Sequence, residues 1–237
     1  MAKNDVISVE NNITKKDFRK VFWRSFTLLG SFNYEKMEGL AYLYCIEHIL
    51  KKIYKDDEEG LKQAMLRESA AFNMTIAPAP FVMGISIAME ESVKRDPNFD
   101  PASINAIKVS LMGPLSGIGD TFFWGIFRIL ACSLSIGFAK AGNPIAPFIL
   151  LILFNIPTFL TRYYGLKMGY KSGVGFLASM NEGGVVAVLT EAAKVLGLLV
   201  VGSMCASMVS ISTPFVFHLN GTKIVLQEVF DGIIKGF

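Results

Sequence analysis

Phe18, Val21, Phe22, Phe26 and Leu29 recur at helical spacing, with Lys15, Lys16, Arg19, Lys20 and Arg24 set between them. That alternation predicts an amphipathic helix, opened by Thr14 and Asp17 as a weak variant of the capping box. A basic helix carrying Trp and Phe suits either the membrane interface or the surface of a partner. "GSFNYEKMEG" (Gly30–Gly39) breaks it. Met37, Leu40, Ala41, Tyr44, His48 and Ile49 then form the stripe of a second helix, where a lone His reads as a packing residue. Lys51–Ser69 is the most charged part of the chain and predicts a turn followed by a solvated helix.

From Phe72 the pattern changes from stripes to runs. "FNMTIAPAPFVMGISIAMEE" is apolar but carries Asn73, Pro78 and Pro80. Two prolines that close predict a broken helix or a re-entrant hairpin. A polar connection, Ser92–Ser103, follows. Ile104–Ala139 is apolar over about 36 residues, too many for one membrane span and few for two. Gly113, Pro114, Gly117 and Gly119 cluster at its middle, which predicts two half-helices or a tight hairpin meeting at depth. Ile145–Leu160 is close to a full span, with Arg162, Tyr163 and Tyr164 as its interfacial anchor. Leu166–Gly184 reads as a Gly-rich mixed stretch. Another span is expected from about Ala187 to Met208, where Gly197, Gly202, Ser203 and Ala206 permit close helix packing. "TKIVLQEVFDGIIKGF" closes the chain as an amphipathic segment.

Composition sharpens this into a class. The 237 residues are 52% hydrophobic and only 18% charged, against about 25% charged in soluble domains. Mean hydropathy is +0.44. An all-α integral membrane protein is expected, with amphipathic N-terminal helices and a bundle of broken or re-entrant transmembrane helices. Three regions follow: 1–70 as cytoplasmic or interfacial helices, 71–217 as a transmembrane core, and 218–237 as a C-terminal amphipathic segment. The start of the chain lacks the apolar core and cleavage site of a signal peptide, which places the amino terminus in the cytoplasm. A net charge of +3 is too small to suggest nucleic acid. Cys45, Cys132 and Cys205 have no metal or disulfide spacing.

One acid stands out against this background. "MGPLSGIGDTFFWG" (Met112–Gly125) places Asp120 among glycines and bulky apolar residues. Irregular backbone and ionised groups at membrane depth are tolerated only where protein or a wet cavity surrounds them. Asp120 therefore faces the interior, as the N-cap of a second half-helix, as an acceptor for a polar ligand, or as both. Trp124, one turn on, adds an aromatic face beside it. An acid for hydroxyls and a ring for C–H faces suit a sugar, though they suit other polar ligands too. Broken helices near the midplane recur in secondary transporters. No catalytic constellation is found, and no cofactor is expected. "GPLSGIGD" lacks the Lys and preceding strand of a phosphate loop.

Here the residues also resemble a known family. "KVSLMGPLSGIGDTFFWG" (Lys108–Gly125) looks like the signature of the IID subunit of the mannose/fructose/sorbose-family phosphotransferase (PTS) sugar permeases. "GSFNYEKMEGL" (Gly30–Leu40), with Asn33 and Glu35 in place, is similar to that family's amino-terminal motif. Ala71–Glu91, Leu153–Gly173 and Leu189–Gly202 resemble later stretches in the same order. The resemblance implies a multi-pass subunit of a bacterial inner (plasma) membrane, without a phosphorylation site of its own. It implies a IIC partner, with which IID moves a hexose-type sugar while cytoplasmic IIA and IIB proteins phosphorylate it. It further implies a trimer of IIC–IID pairs. The alternative is a receptor or scaffold of the same fold that moves nothing, for instance a bacteriocin docking subunit. Asp120, Trp124, Asn33, Glu35 and Asn73 are the candidate substrate-binding residues. The family usually continues with further hydrophobic segments beyond the point where this sequence stops, at Phe237.

Overall fold

A computed structural model describes residues 13–180, with side chains through 174, together with residue 195 and the segments 216–219 and 222–225. The span expected at 187–208 lies outside these residues, apart from a helical Val195. Two compact units are present, Met1–Leu198 and Leu199–Phe237.

The first unit is helical. α1 (Lys15–Arg24) continues into a 3₁₀ segment, Ser25–Ser31. Its start matches the capping expectation, since the Thr14 amide and hydroxyl both donate to Asp17 Oδ2, at 2.7 and 2.8 Å. α2 (Gly39–Ile53) and α3 (Glu58–Glu68) follow. Asp57 caps α3 by accepting from Gly60 N at 2.8 Å, as an Asp at this position should. The apolar stripes of α1 and α2 meet in one core that includes Val21, Tyr42, Ile46, Ile49 and Leu50, all fully buried.

α4 (Ala79–Arg95) begins where the prolines were expected to break a helix. Pro78 is its N-cap and Pro80 falls in its first turn, where a missing N–H costs nothing. The chain before it, 71–75, carries no helix. α4 is therefore neither a re-entrant hairpin nor a broken span. Protein encloses it: nearly every residue from Ala79 to Glu91 is buried.

The expected opening at Gly113–Gly119 is likewise absent. α5 (Ala102–Gly119) runs through Pro114, passes into a π-helical stretch, Asp120–Phe127, and continues as α6 (Arg128–Lys140). The whole is one helical run of 39 residues. Energetics explain the continuity. A helical glycine costs up to about 1 kcal/mol, whereas each backbone group left unpaired in lipid costs several. Widening the ladder is cheaper than opening it.

A turn with Gly142 at φ +70° leads into α7 (Ala146–Met180). This helix carries into the stretch read as Gly-rich and mixed, as far as Met180. The reason is spacing. Gly165, Gly169 and Gly173 fall four apart on one face, against α4. A Cβ on Gly169 would run into the Phe81 carbonyl, and one on Gly173 would lie 2.7 Å from Ala88 Cβ. From the other side, a Cβ on Gly84 would meet Tyr170 N at 2.5 Å. Backbone therefore rests on backbone, as small residues permit. Arg162, expected at the membrane interface, is instead only 2% exposed. Its Nη1 donates to Ser25 O and Oγ at 2.7 and 2.9 Å, tying α7 to the 3₁₀ segment.

The two long helices, Ala102–Lys140 and Ala146–Val174, are apolar and long enough to cross a membrane, with only 17% of each apolar window buried by protein. At 1.5 Å per residue the first is about 58 Å long, roughly twice a hydrocarbon core. In its first turns one face meets protein: Ile104 and Lys108 are buried.

In the second unit, β1 (Val216–Leu219) and β2 (Thr222–Val225) pair antiparallel, with Val216 opposite Val225. The fold thus departs from all-α at this hairpin. The start of the closing amphipathic segment is extended; its remainder lies outside the described residues.

Candidate functional site

The segment 72–75 brings three parts of the chain together. On one side it is stitched to the turn before α2. Asn33 and Met37 exchange backbone hydrogen bonds (2.9 and 3.3 Å), and the turn requires Met37 at φ +52°. Glu38 N donates to Phe72 O at 2.7 Å, and Phe72 N to Lys36 O at 3.2 Å. Met74 N donates to the buried Glu38 Oε2 at 3.3 Å. On the other side the segment meets the last turns of α5. Thr75 N donates to Ser116 Oγ at 3.2 Å, and Thr75 Oγ1 donates to Asp120 Oδ1 at 2.6 Å. The Thr75 hydroxyl sits so close to the helix that a Cβ on Gly119 would lie 2.7 Å from Thr75 Cβ. Gly119 is what lets the threonine reach the acid.

Asp120 is therefore held, but not as an N-cap. Its backbone is helical (φ −62°, ψ −43°) within the continuous run. One carboxylate oxygen takes the threonine proton; the other has no protein partner among the described residues. Asp120 is half-buried and opens the π-helical stretch, in which a residue's turn neighbours are set wider than in an α-helix. Trp124 is 45% exposed. Its ring lies 5.2 Å from the Arg128 guanidinium and 6.0 Å from Phe154.

The other candidates divide. Asn33 spends its side chain on its own turn: Oδ1 accepts from Glu35 N and Lys36 N, and Nδ2 donates to Ser31 O. Glu35 is exposed at the tip of that turn, 3.8 Å from Lys36 Nζ. Asn73 is exposed beside α5, its amide 3.3 Å from Met112 Sδ. Sequence reasoning missed Thr75, Ser116 and Glu38. Ser116 lies one turn before Asp120 on the same helical run, so its spacing of four was the available signal; Thr75 and Glu38 come from other segments, and no spacing announces them.

A groove of about 250 Å³ lies between Pro78, Leu115, Ile118, Gly119, Phe122, Phe123, Phe127 and Thr161, and its walls are almost wholly apolar. A larger open hollow of about 640 Å³ sits on α2 and α3, at Leu43, Glu58, Leu61 and Met65, and touches none of the residues just described. Along the polar strip from Asn73 to Asp120, Asn73 is exposed and Asp120 half-buried.

Glu38 gives this region a pH response. Burial pushes its carboxyl up to about 7, against the pull of the Met74 amide and the Arg162 charge. An unfolded glutamate titrates near 4.5. Between those values the folded chain keeps a proton that the unfolded chain releases, so stability falls as pH rises from about 4.5 to 7 and is level above. Glu38→Gln is expected to remove that slope. Melting midpoints of wild type and variant, taken every half pH unit, should draw apart across this window only; parallel curves would assign the slope elsewhere.

Comparison with known proteins adds the following. Residues 12–237 match the PTS system mannose/fructose/sorbose family IID component. The chain is 33% identical to the mannose-specific EIID component of Escherichia coli K12, over 99% of this chain and 86% of that one. It is 35% identical to the fructose permease IID component of Bacillus subtilis, over 96% and 84%. Among solved structures it is similar to a chain of the mannose transporter ManYZ in complex with microcin E492, with a TM-score of 0.79 at 34% identity, over 96% of this chain and 85% of that one.

Proposed function

Since the chain belongs to the IID component family of the mannose/fructose/sorbose phosphotransferase systems, we propose that it works beside a IIC partner as the membrane subunit that passes a hexose-type sugar to phosphorylation by IIA and IIB proteins. It does so from a bacterial plasma membrane, as a multi-pass protein in a trimer of IIC–IID pairs. One observation carries this reading: the polar strip ending at Asp120 sits at the middle of a helix long enough to span a bilayer and mostly uncovered by its own protein. A half-buried carboxylate with a spare acceptor would be costly facing lipid. A second chain lying along α5 and the π-helical stretch closes the strip into a chamber and relieves that cost.

In this reading Asp120 accepts a sugar hydroxyl and Trp124 supplies the ring beside it. Asn73, exposed on the strip, and Glu35, exposed at the tip of the turn before α2, meet the sugar or the IIC surface, while Asn33 shapes the turn that presents Glu35. The apolar walls of the neighbouring groove mean that IIC brings most of the remaining polar contacts.

Asp120→Asn separates contact from scaffolding, because an amide oxygen still accepts from Thr75. Co-expressed with its IIC partner, this variant is expected to co-purify as wild type and to lose uptake of labelled hexose by about tenfold or more, the loss of a charge-assisted hydrogen bond. Normal uptake would remove Asp120 from the sugar path. A wild-type chain that never co-purifies with IIC would overturn the reading as a whole.

A further inference from the structure

α1 and the 3₁₀ segment after it keep one face uncovered, and that face changes character along its length. Lys15, Lys16, Arg19 and Lys20 are exposed at its start, and none has an acidic partner among the described residues. Trp23, 59% exposed, and Phe26, 37% exposed, continue the same face. Arg24, by contrast, is already paired with Glu47 at 3.2 Å. Four cations with no acidic partner among the described residues, followed by two partly exposed aromatics, form a pattern of adjoining electrostatic and apolar demand.

Packing sets the direction of that gradient. Phe18 meets Tyr170 (4.9 Å between ring centres), Phe22 meets Tyr163 (6.0 Å), and Phe26 meets Phe159 (4.8 Å). α1 therefore runs alongside α7 in the opposite sense. Its aromatic end lies beside the apolar run of α7, and its basic end lies where α7 leaves that run and exposes Lys167 and Lys171. Both helices thus turn from aromatic to cationic at the same level. That is the profile of the water–lipid boundary, with rings at headgroup depth and lysines reaching past them. Clustered Lys and Arg at that depth bind anionic headgroups.

We infer that the exposed face of α1 is a binding surface for anionic phospholipid headgroups on the cytoplasmic leaflet. Lys15, Lys16, Arg19 and Lys20 take the phosphates, and Trp23 and Phe26 enter the acyl boundary beneath them. The charge on the face selects the lipid, and the rings fix its depth.

The chain has two tryptophans, so Trp124→Phe leaves Trp23 as the only indole. In that background the full chain is reconstituted in phosphatidylcholine vesicles holding equal small fractions of brominated phosphatidylglycerol or brominated phosphatidylcholine. Trp23 fluorescence should be quenched by both and more strongly by the anionic lipid. Neutralising the row (K15Q/K16Q/R19Q/K20Q) should abolish the anionic preference, about a tenfold change in apparent affinity or more, and leave quenching by phosphatidylcholine. The charge-conserving K15R/K16R/K20R chain should keep the preference, which separates lost charge from lost folding. Equal quenching of the unneutralised chain by the two lipids would overturn the inference. Absence of quenching by either would overturn it as well, and would give the face to a protein partner.

Discussion

Replacing Gly169 by valine is expected to destabilise the helical unit by about 3 kcal/mol, at the upper end of what overpacking costs. The obstacle is backbone. Carbon atoms of Phe81 lie 2.7 and 3.0 Å from where the new Cβ would be, and its carbonyl oxygen lies closer still. A side chain can swing aside; the main chain of a buried helix does not. Loss of the monodisperse gel-filtration peak in detergent and a fall of several degrees in the melting midpoint are the readouts. Gly113→Ala is the control. Nothing lies within 4 Å of a Cβ there, so that change should be neutral or gain up to about 1 kcal/mol from helix propensity. If the valine chain melts where wild type does, α4 and α7 are not in backbone contact.

The second large effect concerns Lys108. Its ammonium is 1% exposed and donates to Glu68 Oε2 at 2.8 Å and Glu68 O at 3.2 Å, over the face of the Tyr42 ring. Lys108→Met leaves Glu68 buried without its cation, which is expected to cost about 3–5 kcal/mol. Lys108→Met with Glu68→Met together should recover most of that, because the site then buries two apolar chains of suitable size. The defect also has a pH signature. Burial already pushes the Glu68 carboxyl up, despite the pull of Lys108. Without Lys108 the carboxyl rises further, so the single variant should be less impaired at pH 5, where Glu68 can be neutral, than at pH 8. Thermal melts of the three chains at both pH values check this. A double variant as unstable as the single one would mean that the pair itself, rather than the orphaned charge, holds α3 to α5.

Much of this architecture was legible beforehand, and the parts that were not share a cause. Stripes of apolar residues announced α1 and α2, and Thr14 with Asp17 announced the start of α1. Ordered motif matches along the chain announced the family. The misreadings came where local rules met a membrane. Pro114 and the glycines around it end helices in water, because water accepts the freed backbone groups; in lipid the helix runs on through them. Gly169 and Gly173 fell in a stretch read only as Gly-rich and mixed, yet with Gly165 their spacing of four was the sign of a helix seam. Arg162 looked like an anchor because cations sit at span ends, but Ser25, 137 positions away in sequence, was waiting for its protons. The partners of Asp120 failed for the same reason. Thr75 comes from a non-helical segment 45 residues earlier, and a contact between a loop and a helix leaves no period to read.

The π-helical stretch from Asp120 to Phe127 holds one residue more than an α-helix of the same length would. Such an insertion behaves like a dislocation in a crystal row. It can migrate by exchanging single hydrogen bonds, without the rod ever parting. Each residue it passes turns by about 100° and advances about 1.5 Å. Moving the wide turn along α6 would therefore swing Trp124 around the axis while Asp120 stayed tethered to Thr75, giving this helix a way to change which ring faces its neighbour and yet remain in one piece.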